Sequence, residues 1–161
     1  MVKIGIWERD EGISRTVRRA CEAWGRPFPS LVSGRFFPEF FSMTLDALVV
    51  SPKAAAETGL NGSVHCRALL LPGDAGALTR HIKAEYAVSY GTSNQDTVTF
   101  SSLEGSQICV ALQRELVTLS GGVAEEQELV LPFPPGGEPL PYLAAVGTLL
   151  LLGVPPDGTE A

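Results

Sequence analysis

Short apolar runs, separated by turn residues or by helical periodicity, constrain this chain more than any other feature. They are residues 3–7 (Lys-Ile-Gly-Ile-Trp), 47–50 (Ala-Leu-Val-Val), 67–71 (Arg-Ala-Leu-Leu-Leu) and 85–90 (Glu-Tyr-Ala-Val-Ser-Tyr). Runs this short and this apolar read as strands buried on both faces, which occur in parallel sheets covered by helical connections.

The first connection is the best defined. A polar loop, Glu8-Arg9-Asp10-Glu11-Gly12, leads to Ser14, whose hydroxyl is expected to cap a helix. Val17, Ala20, Cys21 and Trp24 recur at helical spacing and so share one apolar face, and Gly25 can take the left-handed conformation that ends a helix. The stretch 27–44 is rich in Phe and Pro. Its cluster Phe36, Phe37, Phe40 and Phe41 is expected to form a short helix or a docking loop. Pro52 suits the first turn of a short helix over 53–57, and Asp74 is expected to cap another over 75–82.

Beyond residue 95 the pattern changes. Residues 97–100, 107–112, 115–119 and 126–131 are strand-like, with turns at Gly105-Ser106 and Ser120-Gly121-Gly122. Val98, Phe100, Ile108, Val110 and Leu112 alternate with other residues, as in an antiparallel sheet with one wet face. Gly136-Gly137 marks a loop, residues 140–152 form an almost wholly apolar helix that must be buried, and the tail from Pro155 is expected to fray. The expectation is therefore one α/β domain over 1–161. Residues 1–95 supply a Rossmann-like, mostly parallel sheet, and residues 96–161 supply an antiparallel β section and a buried C-terminal helix.

Composition excludes several classes of partner. Twelve Lys and Arg against eighteen Asp and Glu give a net charge of −6, the wrong sign for a phosphate backbone. The only basic cluster, Arg15, Arg18 and Arg19, has the spacing of an exposed helix face. Nucleic acid is thus not an expected partner. Neither is a membrane, because the longest apolar run, residues 143–154, is about half the length of a bilayer span. Cys21, Cys66 and Cys109 are odd in number and widely spaced, so free thiols in a reducing compartment are expected. With no signal-peptide pattern at the start, the expected location is the cytoplasm.

The usual catalytic constellations fail on inspection. His65, Cys66 and His81 lack zinc-ligand spacing, and no GxSxG elbow is present. The first strand–helix loop has no GxGxxG, and its acids Glu8, Asp10 and Glu11 oppose a pyrophosphate. Gly73-Asp74-Ala75-Gly76 is not followed by Lys-Ser or Lys-Thr, so a Walker-type ATP loop has no anchor there. No cofactor and no metal is expected. A receiver-like scheme would place Asp10 and Glu11 as acidic ligands, yet Ser51 stands where its phospho-acceptor Asp should be, and no Lys follows Tyr90-Gly91. What remains is the general rule that ligands gather outside the carboxyl ends of parallel strands. Those ends carry Glu8, Arg9, Asp10, Ser51, Asp74, Tyr90 and Asn94 as candidate ligand-binding residues, with a carboxylate as base and Arg9 as anion partner.

From about residue 84 to 158 the order of features resembles the end of a Mur ligase central domain. The resemblance rests on Ala87-Val88-Ser89-Tyr90-Gly91, the β region after it, Leu131-Pro132-Phe133, the run from Gly137 to Ala145, and Leu151-Leu152-Gly153-Val154. Against the family's helix motif, Gly137 and Glu138 replace His-Asn and Pro141 replaces the second Asn, while the Walker loop is missing altogether. The resemblance implies a shortened, ligase-derived domain without ATP-dependent amide-bond formation, and it carries no catalytic residue over to this chain. The expected function is a non-catalytic binding or regulatory domain that meets a second copy or a protein partner through apolar surface, namely the terminal helix and the Phe36–Phe41 cluster. The alternative is a small-molecule-binding enzyme or sensor using the crevice at the strand carboxyl ends. A scaffold that pairs its antiparallel edge with another chain is a third reading.

Overall fold

The computed structural model describes residues 1–25 and 28–158, so Pro27 and the tail beyond 158 lie outside it. Eight strands form one sheet, in the spatial order Gln127–Pro132 (β10), Gln107–Leu112 (β7), Val98–Glu104 (β6), Ile82–Tyr90 (β5), Val64–Pro72 (β4), Leu45–Val50 (β3), Lys3–Trp7 (β1) and Ser30–Gly34 (β2). The parallel part comprises β1 (Lys3–Trp7), β2 (Ser30–Gly34), β3 (Leu45–Val50), β4 (Val64–Pro72) and β5 (Ile82–Tyr90). Its order, 2-1-3-4-5, reverses direction between β1 and β3.

That reversal decides which face each connection covers. Parallel crossovers are right-handed, so a step from β1 out to β2 and steps the other way must lie on opposite faces. Helix α1 (Ile13–Trp24), between β1 and β2, covers one face. The other is covered by a 3₁₀ turn at Phe37–Phe40, the one-turn helix α2 (Pro52–Ala55) and a 3₁₀ turn at Gly76–Arg80. Alternate strand residues divide accordingly. Ala47, Val49, Ala68 and Leu70 pack with α1, whereas Leu48, Val50, Leu69 and Leu71 pack with Phe37, Phe40 and Ala54.

The antiparallel section follows as β6 (Val98–Glu104), β7 (Gln107–Leu112) and β10 (Gln127–Pro132), with a separate ribbon of β8 (Leu116–Val117) and β9 (Val123–Ala124). β6 meets β5 at one parallel pair, Tyr90 with Val98, the last residue of one strand and the first of the next. The β6–β7 hairpin therefore runs on past the carboxyl edge of the parallel strands. Asp96 holds the junction. Its carboxylate accepts the Ser93 N–H at 3.1 Å and lies where a Cβ on Gly73 or Gly91 would stand, so both positions require glycine. The last long helix, α3 (Pro139–Leu152), packs on α1 and on the sheet and is buried almost all round, from Leu143 through Leu151.

Several expectations need correction. Residues 27–44 contain an edge strand, β2, before the 3₁₀ turn. In the aromatic cluster Phe37 and Phe40 are core, while Phe36 and Phe41 are 59% and 41% exposed. Trp24 lies at the margin of the α1 face, 41% exposed. Asp74 caps no helix: the Ala75 N–H bonds back to the Pro72 carbonyl at 3.0 Å, and this tight turn leaves Asp74 exposed. The strand expected over 115–119 shrinks to the two residues of β8. Pro156–Gly158 form a 3₁₀ turn that packs against α1, with Pro156 buried. Most apolar residues of the terminal helix lie inside the core, and Leu140, Tyr142 and Leu152 are only partly buried.

Candidate functional site

Helix α1 begins in an unexpected way. Gly12, with φ at 77°, is the residue before the first turn, and Ser14 already lies inside the helix. The cap comes from Glu8 instead. Its two carboxylate oxygens accept the N–H groups of Ile13 and Ser14, each at 2.9 Å, and Glu8 is buried. The left-handed bend at Gly12 folds the chain back far enough for a side chain several residues upstream to reach the helix start. A helix N-terminus carries partial positive charge and unpaired N–H groups, which is why free anions collect there. Here a carboxylate of the chain itself fills that position.

The rest of the loop is also committed. Glu11 accepts the Arg9 N–H at 2.9 Å and the Lys53 N–H at 3.1 Å, tying the end of β1 to the start of α2. Arg9 forms an ion pair with Glu57, and its Nε is buried without a partner. Asp10 takes φ at 56°, the one positive φ outside glycine among the described residues, and its exposed carboxylate meets Arg35 at 2.7 Å. Such strain concentrates at binding and catalytic loops.

The other expected residues divide between structure and solvent. Ser51 is fully buried, and its Oγ accepts the Ala54 N–H at 3.0 Å as the cap of α2. Tyr90 is fully buried and donates its hydroxyl to the Val50 carbonyl at 2.6 Å. Burial, with Glu11 and Asp74 adding to it, holds that phenol protonated far above its ordinary range. Asp74 and Asn94 are exposed in separate loops.

A cleft of about 790 Å³ lies outside the carboxyl ends of the strands. Only Asp10 of the seven expected residues lines it. One wall is α1 with Arg15, Thr16 and Arg19, joined by Lys53 at the start of α2. The other wall is the loop from β10 into α3, with Phe133 and Glu138, and the first turn of α3, with Tyr142, and the tip of the β6–β7 hairpin adds Ser106. The Phe133 and Tyr142 rings pack at 5.1 Å, tilted by 60°. Gly137 admits that arrangement, since a Cβ there would come within 2.9 Å of the Phe133 ring. A smaller cavity of about 420 Å³ joins Glu8, Asp10 and Arg15 to Arg35 and Glu39. Sequence reasoning placed Arg15 and Arg19 on a helix face without a facing wall. Only the packing of α1 against the start of α3 supplies one.

Among the described residues no group of three or more His, Cys, Asp or Glu is placed to hold a metal ion, and no helix is long and apolar enough to cross a membrane. His65 is exposed, and the His81 Nδ1 lies 3.2 Å from the Gly62 carbonyl. Cys21 and Cys66 are buried free thiols and Cys109 is half-buried. Burial pushes the Cys66 thiol up to about 11.

The fold and cleft together define a doubly wound α/β domain, extended by an antiparallel hairpin, with a ligand-sized cleft at its carboxyl edge. No protein-family model matches this sequence, and no curated protein matches it either.

Proposed function

We propose that this chain is a non-catalytic binding or regulatory domain of Mur-ligase-like descent, without ATP-dependent ligase activity. The observation that carries the reading is the Glu8 carboxylate on the Ile13 and Ser14 N–H groups. A phosphate-binding turn between a first strand and a first helix works by leaving such groups free and by adding a lysine for the terminal phosphates. This turn uses the groups internally, adds the charges of Asp10 and Glu11, and contains no lysine. A triphosphate entering here would meet three carboxylates. Calorimetry with magnesium-ATP on the full chain tests this: the expected result is no tight, magnesium-dependent binding, and such binding would overturn it.

Apolar surface supports a second copy or a protein as partner. Phe36 and Phe41 are exposed beside β2, and Val117, Val123 and Val130 are between 51% and 65% exposed on the antiparallel section. Sedimentation of the purified chain as a concentration-independent monomer would count against self-association. The free thiols favour a reducing compartment, so residence in the cytoplasm belongs to the same proposal.

The cleft of about 790 Å³ favours a second reading, a small-molecule sensor or enzyme acting at the strand carboxyl ends. A thermal-shift screen tests it, because a ligand that binds only the folded chain must raise the melting temperature.

A further inference from the structure

We infer that the carboxyl-edge cleft binds an amphipathic anion: a small molecule with a phosphate or carboxylate head on a flat apolar ring. This rests on reading the domain as a binder of ligands.

The charges lining the cleft sum to zero in number but differ in commitment. Asp10 is paired with Arg35, and Glu11 is hydrogen-bonded to two backbone N–H groups. Arg15, Arg19 and Lys53 form no ion pair among the described residues. Arg15 and Arg19 are four residues apart on α1, so their guanidinium groups emerge on one side of the helix. The neighbouring Arg18 is directed elsewhere, 5.6 Å over the Phe28 ring. Three uncommitted cations thus stand along one side of the cleft, and guanidinium groups match the paired oxygens of a phosphate or carboxylate. Across from them is the tilted pair of Phe133 and Tyr142. Aromatic faces bury flat apolar groups at little entropic cost. The one uncommitted acid, Glu138, belongs to that second wall, so it favours the head turned toward α1.

A head toward α1 and a ring toward Phe133 and Tyr142 is therefore the arrangement that leaves fewest groups unmatched. The cleft volume falls within the range of small-molecule sites, roughly 300–1,000 Å³. Glu8 does not line the cleft, although its neighbouring cavity shares Asp10, Gly12 and Arg15 with it, and the cations that would recognise the head are side chains rather than the N–H groups that Glu8 occupies.

The probe is 1-naphthyl phosphate, titrated into the full chain by calorimetry with inorganic phosphate and 1-naphthol as separate arms. Binding of the naphthyl phosphate at least about tenfold tighter than either part alone is expected. The double variant R15Q/R19Q, altered at two exposed positions, should weaken it by about tenfold or more and leave the melting temperature unchanged. In the labelled protein the resonances of Lys53 and Tyr142 should shift together on titration. Absence of saturable binding would overturn the inference, as would equal binding of 1-naphthol or full affinity in the double variant. None of these outcomes bears on magnesium-ATP, so this proposal and the one above fail separately.

Discussion

Both long helices begin near the same cleft, yet they begin by opposite means. Helix α1 fills its first turn with a carboxylate, since Glu8 accepts the N–H groups of Ile13 and Ser14. Helix α3 removes the donors instead: Pro139 and Pro141 stand at its first and third positions, and Glu138 before them makes no capping bond. Proline has no N–H and its fixed φ suits a helix start. Neither start has its full set of backbone donors to offer an anion. On the proposed reading, charge recognition at this edge of the sheet falls to side chains, and Arg15, Arg19 and Lys53 line the cleft there. The comparison also separates the helices by environment. α1 is amphipathic and keeps its arginines in water, whereas α3 is buried nearly all round.

The largest effect should come from the buried helix. Leu149 is fully buried in α3, and Leu149→Ala should cost about 2–5 kcal/mol in urea unfolding. A cost under about 0.5 kcal/mol would mean that α3 is not the core element described.

The basic limb of the pH profile comes next, and it tests the sheet rather than the helix starts. Cys66 has its folded pKa raised by burial from 9.0 to about 11, and Tyr90 is raised above 10.0. A folded value above the unfolded one means that the unfolded chain ionises first as pH rises. The stabilisation from each is complete below the unfolded pKa and is lost as pH rises toward the folded one. Stability should fall between pH 9 and pH 11, with the Cys66 part on the order of 2 kcal/mol. Cys66→Ala should remove that part of the slope, while Glu8→Ala should leave it in place.

The two helix starts should respond differently to loss of their acids. Glu8→Ala strips two N–H groups of their acceptor and should cost about 1–2 kcal/mol, whereas Glu138→Ala should stay within about 0.5 kcal/mol. Equal costs measured by thermal unfolding would erase the contrast. The smallest effect is expected from Arg15→Gln with Arg19→Gln. Both are exposed and unpaired among the described residues, so stability should change by less than about 0.5 kcal/mol.

How much of this was legible in the sequence depends on where the signal lies. β1, β3 and β4 are apolar runs, β6–β7 alternates around Gly105-Ser106, and α3 is too apolar for a surface. Each carries its environment within its own residues. β2 does not: Ser30–Gly34 is a short edge strand with only Gly34 fully buried, so neither periodicity nor hydrophobicity marks it. The α1 cap misled because local rules choose Ser14, while the fold presents Glu8 through the left-handed turn at Gly12. Likewise Ser51 and Tyr90 do sit at strand ends, but their polar atoms are consumed by the Ala54 N–H and the Val50 carbonyl. The cleft was legible only as a location. Its walls come from elements more than a hundred residues apart, and no spacing within the sequence brings Arg15 opposite Tyr142.

The most direct test of the Glu8 plug is an inorganic phosphate titration of the labelled protein, read at the Ile13 and Ser14 amide resonances. The account predicts that both stay fixed while signals near Arg15 and Arg19 move. Saturable shifts of the Ile13 and Ser14 amides in the unaltered chain would show a free anion in the place that the Glu8 carboxylate occupies, and would contradict it.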